Sequence, residues 1–378
     1  MKYFIIAGEA SGDMHAAKLI QAIKVQQPEA IFEGWGGNRM ENAGCKVLKH
    51  YKQLAFLGFW EVFTHLRTII GFLKECKKNI KAYHPDILIT VDYPGFNLRM
   101  AKFAKKRGIK TVHYVSPQVW AWKKGRIKHI KKYIDTLLAI LPFEKAFYAR
   151  YNYPVHYVGH PVLDELARFN PEDKQVSDFR TRYGLKQDRP VVAIIPGSRE
   201  QEIKYMLPVL VRTAKQFPDV QFLVSAVPWL PAKLYQKWTG DIPLVTEGMY
   251  PLLYHADAAL VTSGTASLET ALMNVPQVVG YKGSWLSYRI ARWLVKDLKY
   301  ISLANIILDK PVFREWIQNN CSSTQLTNEL KKLLYDKQII ETMKNDYLQL
   351  HEILGNGSAS ERAAQIVIKL NLKAAVSK

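Results

Sequence analysis

The stretch from Asp257 to Lys282 leaves the fold little freedom. Ala258 to Val261 is an apolar run of strand length, and Ser263-Gly264-Thr265 is a turn of small residues. Ala266 to Met273 has the helical pattern, Asn274 stops it, and Val275 to Tyr281 is apolar again. Strand, glycine turn, helix, strand demands a parallel sheet with helices on its faces. The turn also aims free backbone N–H groups and a helix N-terminus at one spot, which suits an anion, most naturally a phosphate. Glu269 lies on the first helical turns, where its carboxylate can accept hydrogen bonds from a ribose. A plainer reading stands beside this one, with Thr265 as an ordinary N-cap and Glu269 as a complement to the helix dipole. A capping box does not account for Glu269, because no Ser or Thr stands three residues before it.

The same rhythm runs through the rest of the chain. Lys2 to Ala7 reads as the first strand, followed by Gly8-Glu9-Ala10-Ser11-Gly12-Asp13 and a helix from about Met14 to Gln27. The turn is not G-x-G-x-x-G, and no P-loop appears. It still makes a ligand-facing loop at the carboxyl edge of the sheet, with Glu9, Ser11 and Asp13 as its polar groups. Asp86 to Val91 is a buried strand with Asp92 at its carboxyl end, then a loop Tyr93 to Asn97 and a helix to about Arg107. A carboxylate there can act as a general base toward a hydroxyl, or can simply cap the helix after Pro94. Lys110 to Val115 and Thr136 to Ile140 are further strands. The loop Ser116 to Trp122 holds two tryptophans, either a sugar- or lipid-facing platform or lid residues packed on the core. His160, between Gly159 and Pro161, reads as structural. In the second half, Val191 to Ile195 is a strand ending in Pro196-Gly197-Ser198-Arg199. Gly197 and Ser198 can form an anion nest and Arg199 can pair with a phosphate, while Glu200 and Glu202 offer Arg199 a salt bridge instead. Gln221 to Ser225 and Leu244 to Thr246 are strands as well.

A chain of 378 residues suggests two domains, each able to bury its own core. The charged stretch Asp164 to Lys186 marks the boundary between a first domain over 1–168 and a second over 185–350. Gly355 to Ser358 interrupts the helical tail, and a helix over about 358–378 is expected to return across the first domain. The three cysteines lack metal-site spacing and fit a reducing compartment. The apolar N-terminus meets Glu9 too soon to be a signal peptide, and no run approaches a membrane span.

Charge narrows the partners: 53 Lys and Arg against 33 Asp and Glu give +20, which favours nucleic acid, an acidic membrane surface or phosphorylated substrates. Two basic-aromatic helical patterns stand out. From Phe56 to Lys81 a wide apolar face ends in Lys74, Lys77, Lys78 and Lys81, and Ser284 to Leu298 carries Trp285, Tyr288, Arg289, Arg292, Trp293 and Lys296. The first suits a membrane surface and equally a helix packed between a sheet and a neighbour.

Several phrases occur in order: Ala7 to Asp13, His113 to Trp122, Leu141 to Tyr148, Gly159 to Pro161, Pro196 to Arg199, Ser263 to Glu269 and Val279 to Lys282. Together they resemble the lipid-A-disaccharide synthase family, glycosyltransferase family 19, over almost the whole chain. The resemblance implies an α/β GT-B fold, two Rossmann-like doubly wound domains facing a central cleft. The first would bind the acceptor and the second the UDP-sugar. It implies an inverting transfer from UDP-2,3-diacylglucosamine to 2,3-diacylglucosamine 1-phosphate (lipid X), releasing UDP, with no cofactor and no metal ligands. It makes Asp92 the catalytic base, and Ser198, Arg199, Gly264, Thr265, Glu269 and Asn305 the donor-binding residues. Glu9 and Ser11 would face the acceptor. Ala304 stands where the family usually has Pro before the Asn, and the phrase after Asp309 departs from the family wording. Acylated, anionic substrates imply a peripheral protein on the cytoplasmic face of the inner membrane, with anionic lipid as partner. No pattern in the sequence encodes the oligomeric state, and an exchanged C-terminal helix would make a homodimer. Another UDP-sugar GT-B enzyme, a transferase or epimerase, is the nearest alternative. A nucleic-acid-binding protein explains the charge but not the glycine turns, and no recognised nucleic-acid module is present. A nicotinamide oxidoreductase fails on the missing glycine fingerprint.

Overall fold

The structure is a computed structural model and describes residues 1–54, 66–122, 124–284 and 298–375. It divides into two compact units, Met1–Asp164 with Gly357–Lys378, and Glu165–Asn356. The Phe56–Phe63 part of the first amphipathic pattern and the whole basic-aromatic run from Trp285 to Lys296 lie outside the described residues.

The first unit holds a seven-stranded sheet of β1 (Lys2–Ala7), β2 (Ile31–Gly36), β3 (Cys45–His50), β4 (Ile87–Val91), β5 (Lys110–Tyr114), β6 (Thr136–Ala139) and β7 (His156–Tyr157). Their order is β3-β2-β1-β4-β5-β6-β7 and every pairing is parallel. The second unit repeats the plan with β8 (Val191–Ile195), β9 (Gln221–Ser225), β10 (Leu244–Val245), β11 (Ala258–Thr262), β12 (Gln277–Tyr281) and β13 (Glu315–Ile317). Its six strands run β10-β9-β8-β11-β12-β13, again all parallel. Both are doubly wound orders, in which the chain reverses its direction of travel beside the first strand. Every residue of β4, β8 and β11 is buried, as strands covered by helices on both faces require.

The reversal matters for function. β1 pairs with β4 so that Ala7 lies beside Val91, and β8 pairs with β11 so that Ile195 lies beside Val261. In each unit the loops leaving these two strands open a crevice at the carboxyl edge. Within the sheet itself the strands approach closely. A Cβ on Gly34 would meet the Ile5 carbonyl oxygen at 2.0 Å, so only glycine lets β2 approach β1 there.

The final helix, Ala359–Ala375, belongs to the first unit. It packs on the Ala10–Gln26 helix, and Ala363, Ala364 and Val367 are fully buried in the cluster that holds Leu19, Ile20, Ile23 and Tyr114. Asp164 caps it: its carboxylate accepts from Ala359 N at 2.6 Å and Ser360 N at 3.1 Å. Arg362 Nε donates to the Val158 carbonyl at 2.7 Å.

Candidate functional site

The crevice of the first unit is built by the exits of β1 and β4. The helix after β1 begins at Ala10, four residues before its expected start, so Ser11 and Asp13 stand on its first turn rather than in a loop. Asp13 complements the helix dipole there. Glu9 is the N-cap residue and is exposed, as is Ser11. Asp13 is corrected from a ligand-facing group to a structural one. It is 2% exposed, and its oxygens accept from Gly37 N (2.7 Å), Arg39 N (3.1 Å) and Met40 N (3.1 Å), holding the start of the Asn38–Asn42 helix.

The exit of β4 is strained. Asp92 and Tyr93 both adopt φ of +47°, the left-handed region that side chains rarely occupy. Buried Asn97 holds this backbone, donating from Nδ2 to the Val91 carbonyl at 3.1 Å and the Asp92 carbonyl at 2.7 Å. Asp92 N donates to the Tyr114 carbonyl at 2.9 Å, tying the turn to β5. The Tyr93 ring covers Gly8 so closely that a Cβ there would lie 2.5 Å from it. Asp92 does not cap the following helix: Tyr93 is the N-cap residue and Pro94 opens the helix. The Asp92 carboxyl is pushed up to about 6, first by burial and then by the charge of Glu9, against a backbone hydrogen bond from Tyr93. A half-buried acid at this pKa is set to exchange a proton near neutral pH.

The remaining features of this edge pack on their own unit. Trp120 stands edge-on to Phe143 at 5.0 Å, and the Arg126 guanidinium lies over Trp122. Buried Glu144 accepts from Ile140 N and Leu141 N, and burial pushes its carboxyl up to about 7. His160 accepts from Val162 N, and burial, then nearby His15, drives it down to about 3, so it stays neutral.

In the second unit the exit of β8 is filled by its own helix. Glu202 Oε2 accepts from Ser198 N at 2.9 Å and Arg199 N at 3.2 Å, and Glu202 Oε1 pairs with Arg199 Nη1 at 2.9 Å. The anion nest expected at Gly197-Ser198 thus holds a carboxylate of the chain itself, although both Ser198 and Arg199 are exposed. The exit of β11 is open by contrast. Gly264, not Thr265, is the N-cap residue of the Thr265–Leu272 helix, and no side chain caps the helix N-terminus. The Gly264 carbonyl accepts from Ser267 Oγ at 2.8 Å and Ser267 N at 3.2 Å. Gly264 has φ of 164°, extended backbone that any residue adopts, and a Cβ there would meet nothing within 4 Å. Neither conformation nor packing demands a glycine here.

Four positions along that helix, half-buried Glu269 accepts a hydrogen bond from Tyr250 Oη at 2.7 Å. Burial raises its pKa, the Tyr250 hydrogen bond opposes this, and the charge of Glu165 adds to it. Tyr250, Gly248 and Met249, which follow β10, line a cavity of about 270 Å³ with Glu165 and Phe169. The sequence pattern does not single out Tyr250, because its role depends on β10 and β11 lying in one sheet. Asn305 requires a correction. It is 1% exposed, and its Nδ2 donates to the Phe313 carbonyl at 2.9 Å and Glu315 Oε1 at 3.1 Å. Phe313 N donates to its Oδ1 at 3.4 Å. Both ends of the amide are used inside the unit, so Asn305 organises a loop rather than presenting its amide to a ligand. Among the described residues no His, Cys, Asp and Glu group could hold a metal ion.

The profile of the family described as Lipid-A-disaccharide synthetase matches residues 3–369. The chain is 37% identical to the lipid-A-disaccharide synthase of Trichlorobacter lovleyi over 377 residues, covering 98% of this chain and 97% of that one. It is 41% identical to that of Psychromonas ingrahamii over 374 residues, 96% of each chain. Solved structures show the same fold at low identity. The S. aureus MnaA–UDP co-structure aligns with a TM-score of 0.68 at 14% identity, over 98% of this chain and 97% of that one. A UDP-GlcNAc 2-epimerase from Neisseria meningitidis bound to UDP-GlcNAc aligns with a TM-score of 0.65 at 14% identity, over 99% and 100%. The calicheamicin glycosyltransferase CalG4 aligns with a TM-score of 0.60 at 14% identity, over 97% of each chain. The architecture is therefore GT-B, and with the family profile and the curated relatives matched over nearly their full lengths, this chain belongs to the lipid-A-disaccharide synthase family.

Proposed function

We propose that the second unit binds UDP-2,3-diacylglucosamine and that Asp92 of the first activates the acceptor, 2,3-diacylglucosamine 1-phosphate. The donor diphosphate lies at the open Gly264-Thr265 turn, where helix N–H groups and dipole meet its charge. The ribose hydroxyls bond to Glu269, and the base enters the cavity beside Tyr250. Asp92 takes the proton of the acceptor's primary hydroxyl as its oxygen bonds to the anomeric carbon. The anomeric C–O bond to phosphate breaks on the opposite face, and UDP leaves with the electron pair. One displacement inverts the centre. The leaving charge is stabilised by the Gly264 turn and, once exchanged from Glu202, by Arg199.

The observation that carries this reading is the strained, half-buried Asp92, its carboxyl raised by burial and Glu9, at the sheet reversal of one unit, with an uncapped helix start at the same place in the other. The test is UDP release from the diacylated donor in detergent, with and without acceptor, in EDTA. Acceptor-dependent release supports the transferase. Release without acceptor points to a hydrolase on this fold, and no release sinks the donor assignment.

The empty space before Gly264 makes a sharper test. Gly264→Ala is expected to melt like the wild type, since the new methyl contacts nothing in the unit. It should bind UDP at least about tenfold more weakly, or ~1.4 kcal/mol, because the methyl occupies the space in front of the N–H groups. Unchanged UDP affinity by calorimetry would remove the diphosphate from this turn.

Membrane association rests on charge. The neighbouring helices Leu66–Tyr83, Pro94–Lys105 and Ile127–Tyr133 carry Lys74, Lys77, Lys78 and Lys81, then Lys102 and Lys105, then Lys128, Lys131 and Lys132. No helix among the described residues is long and apolar enough to cross a membrane. Basic helices of this kind gain roughly 1 kcal/mol per Lys or Arg near anionic lipid. The protein is expected to sediment with anionic vesicles at low salt and to leave them at high salt. A protein that stays in the supernatant at low salt would rule this out.

A further inference from the structure

The edge strand β13 carries a carboxylate that takes no part in the chemistry above. Glu315 Oε1 accepts from Ser302 N at 2.7 Å, Ile301 N at 3.1 Å and Asn305 Nδ2 at 3.1 Å, and its Oε2 accepts from Ile301 N at 3.0 Å. Glu315 itself is fixed by register, since β13 pairs with β12 so that Glu315 lies beside Val279. The gathered groups open the Leu303–Leu308 helix, of which Ser302 is the N-cap residue. An N-cap serine usually turns its hydroxyl back on its own helix. Ser302 does not: it is fully buried, makes no side-chain cap, and its Oγ lies 3.2 Å from Ser263 Oγ. Ser263 is the first residue of the Gly264-Thr265 turn, and its N–H is already held by the Gly280 carbonyl at 2.8 Å.

We infer that Glu315 is a positioning residue for the donor site, acting through Ser302 on the Ser263-Gly264-Thr265 turn. The chain of contacts is continuous: Glu315 carboxylate, Ser302 N–H, Ser302 hydroxyl, Ser263 hydroxyl, turn. Its strength lies in one charge shared by several N–H donors, each stronger than a neutral hydrogen bond. By taking the Ser302 N–H, Glu315 orients the residue so that its hydroxyl reaches sideways. Asn305 belongs to the same device, locking the Phe313 backbone two residues before Glu315. The inference rests on the Gly264 turn being the diphosphate site.

The test compares Glu315→Ala, Glu315→Gln and Ser302→Ala with the wild type by UDP calorimetry, donor KM and kcat, and thermal melting. Glu315→Ala is expected to weaken UDP binding and raise donor KM by about 10–100-fold, since a shift on the order of 1 Å in a binding group has effects of that size. Gln keeps one oxygen for Ser302 N–H and should recover most of the loss. Ser302→Ala removes the hydroxyl bridge alone, so it should raise KM with the melting temperature unchanged, and it carries the test if Glu315→Ala does not fold. A role confined to stability would instead lower the melting temperature and leave UDP affinity of the folded variants intact, which overturns the inference. If the wild type does not bind UDP, the donor-site reading falls and takes this inference with it. If the wild type binds and all folded variants bind within twofold, only this inference falls.

Discussion

Replacing Asp92 with asparagine is expected to leave a folded protein in which glycosyl transfer is slowed roughly 10²–10⁴-fold, the usual contribution of a positioned general base. Asparagine is close to isosteric with aspartate and keeps the side-chain size that the tight turn accommodates, yet it accepts no proton. The pH dependence follows from the same group. The Asp92 carboxyl is raised to about 6 by burial and by Glu9, so the wild-type rate should fall as pH drops through about 6. Glu9→Gln should move that limb to lower pH, because it removes the second cause of the shift. The effect on stability has the opposite sign. A carboxyl whose folded pKa lies above its unfolded value favours folding only while protonated, and that contribution is lost as pH rises through about 6. At neutral pH Asp92 therefore destabilises the fold, and Asp92→Asn should melt at the wild-type temperature or above. Wild-type turnover in the folded variant would remove Asp92 as the base. A collapsed melting temperature would instead show a structural role.

Ending the chain at Asn356 is expected to abolish folding of the first unit, although the lost segment is remote from it in sequence. That segment supplies Ala363, Ala364 and Val367 to the core and receives the Asp164 cap. Each large apolar side chain left uncovered costs roughly 1.5–3 kcal/mol, against a total of about 5–15 kcal/mol for a domain. Uncovering three or four is enough to unfold it. The truncated protein should appear in inclusion bodies or be cleaved throughout 1–164 by trace protease, with the second unit resistant. Asp164→Ala is the milder variant, leaving two buried N–H groups unpaired at about 1–3 kcal/mol. A soluble truncated chain with a wild-type melting profile would show that the helix is dispensable.

Local pattern made much of this protein legible. The strands at Lys2–Ala7, Gln221–Ser225 and Val191–Ile195 have the bounds their apolar runs suggest. Asn274 does stop its helix, at φ of +58°. The rest was hidden because it depends on what distant segments bring. Asp13 and Asp92 look alike in sequence, acids in the segments that leave buried strands. Packing gives Asp13 three backbone donors from Gly37, Arg39 and Met40, and leaves Asp92 raised beside Glu9. Asn305 matches a donor-site phrase, yet Phe313 and Glu315 use both ends of its amide. Glu202 fills a nest that Gly197 and Ser198 advertised as vacant.

By itself the sequence determined the βα alternation, the parallel sheets and the family, because strand runs, glycine turns and motif phrases are contiguous and need no partner to be recognised. Only the tertiary structure decided which turns meet. The order β3-β2-β1-β4 sets Glu9 beside Asp92, and the order β9-β8-β11 sets the Ser198 turn beside Gly264. Sheet order is a non-local choice, settled by which apolar faces bury best together, and so are the desolvation that raises Asp92 and the four hydrogen bonds gathered by Glu315.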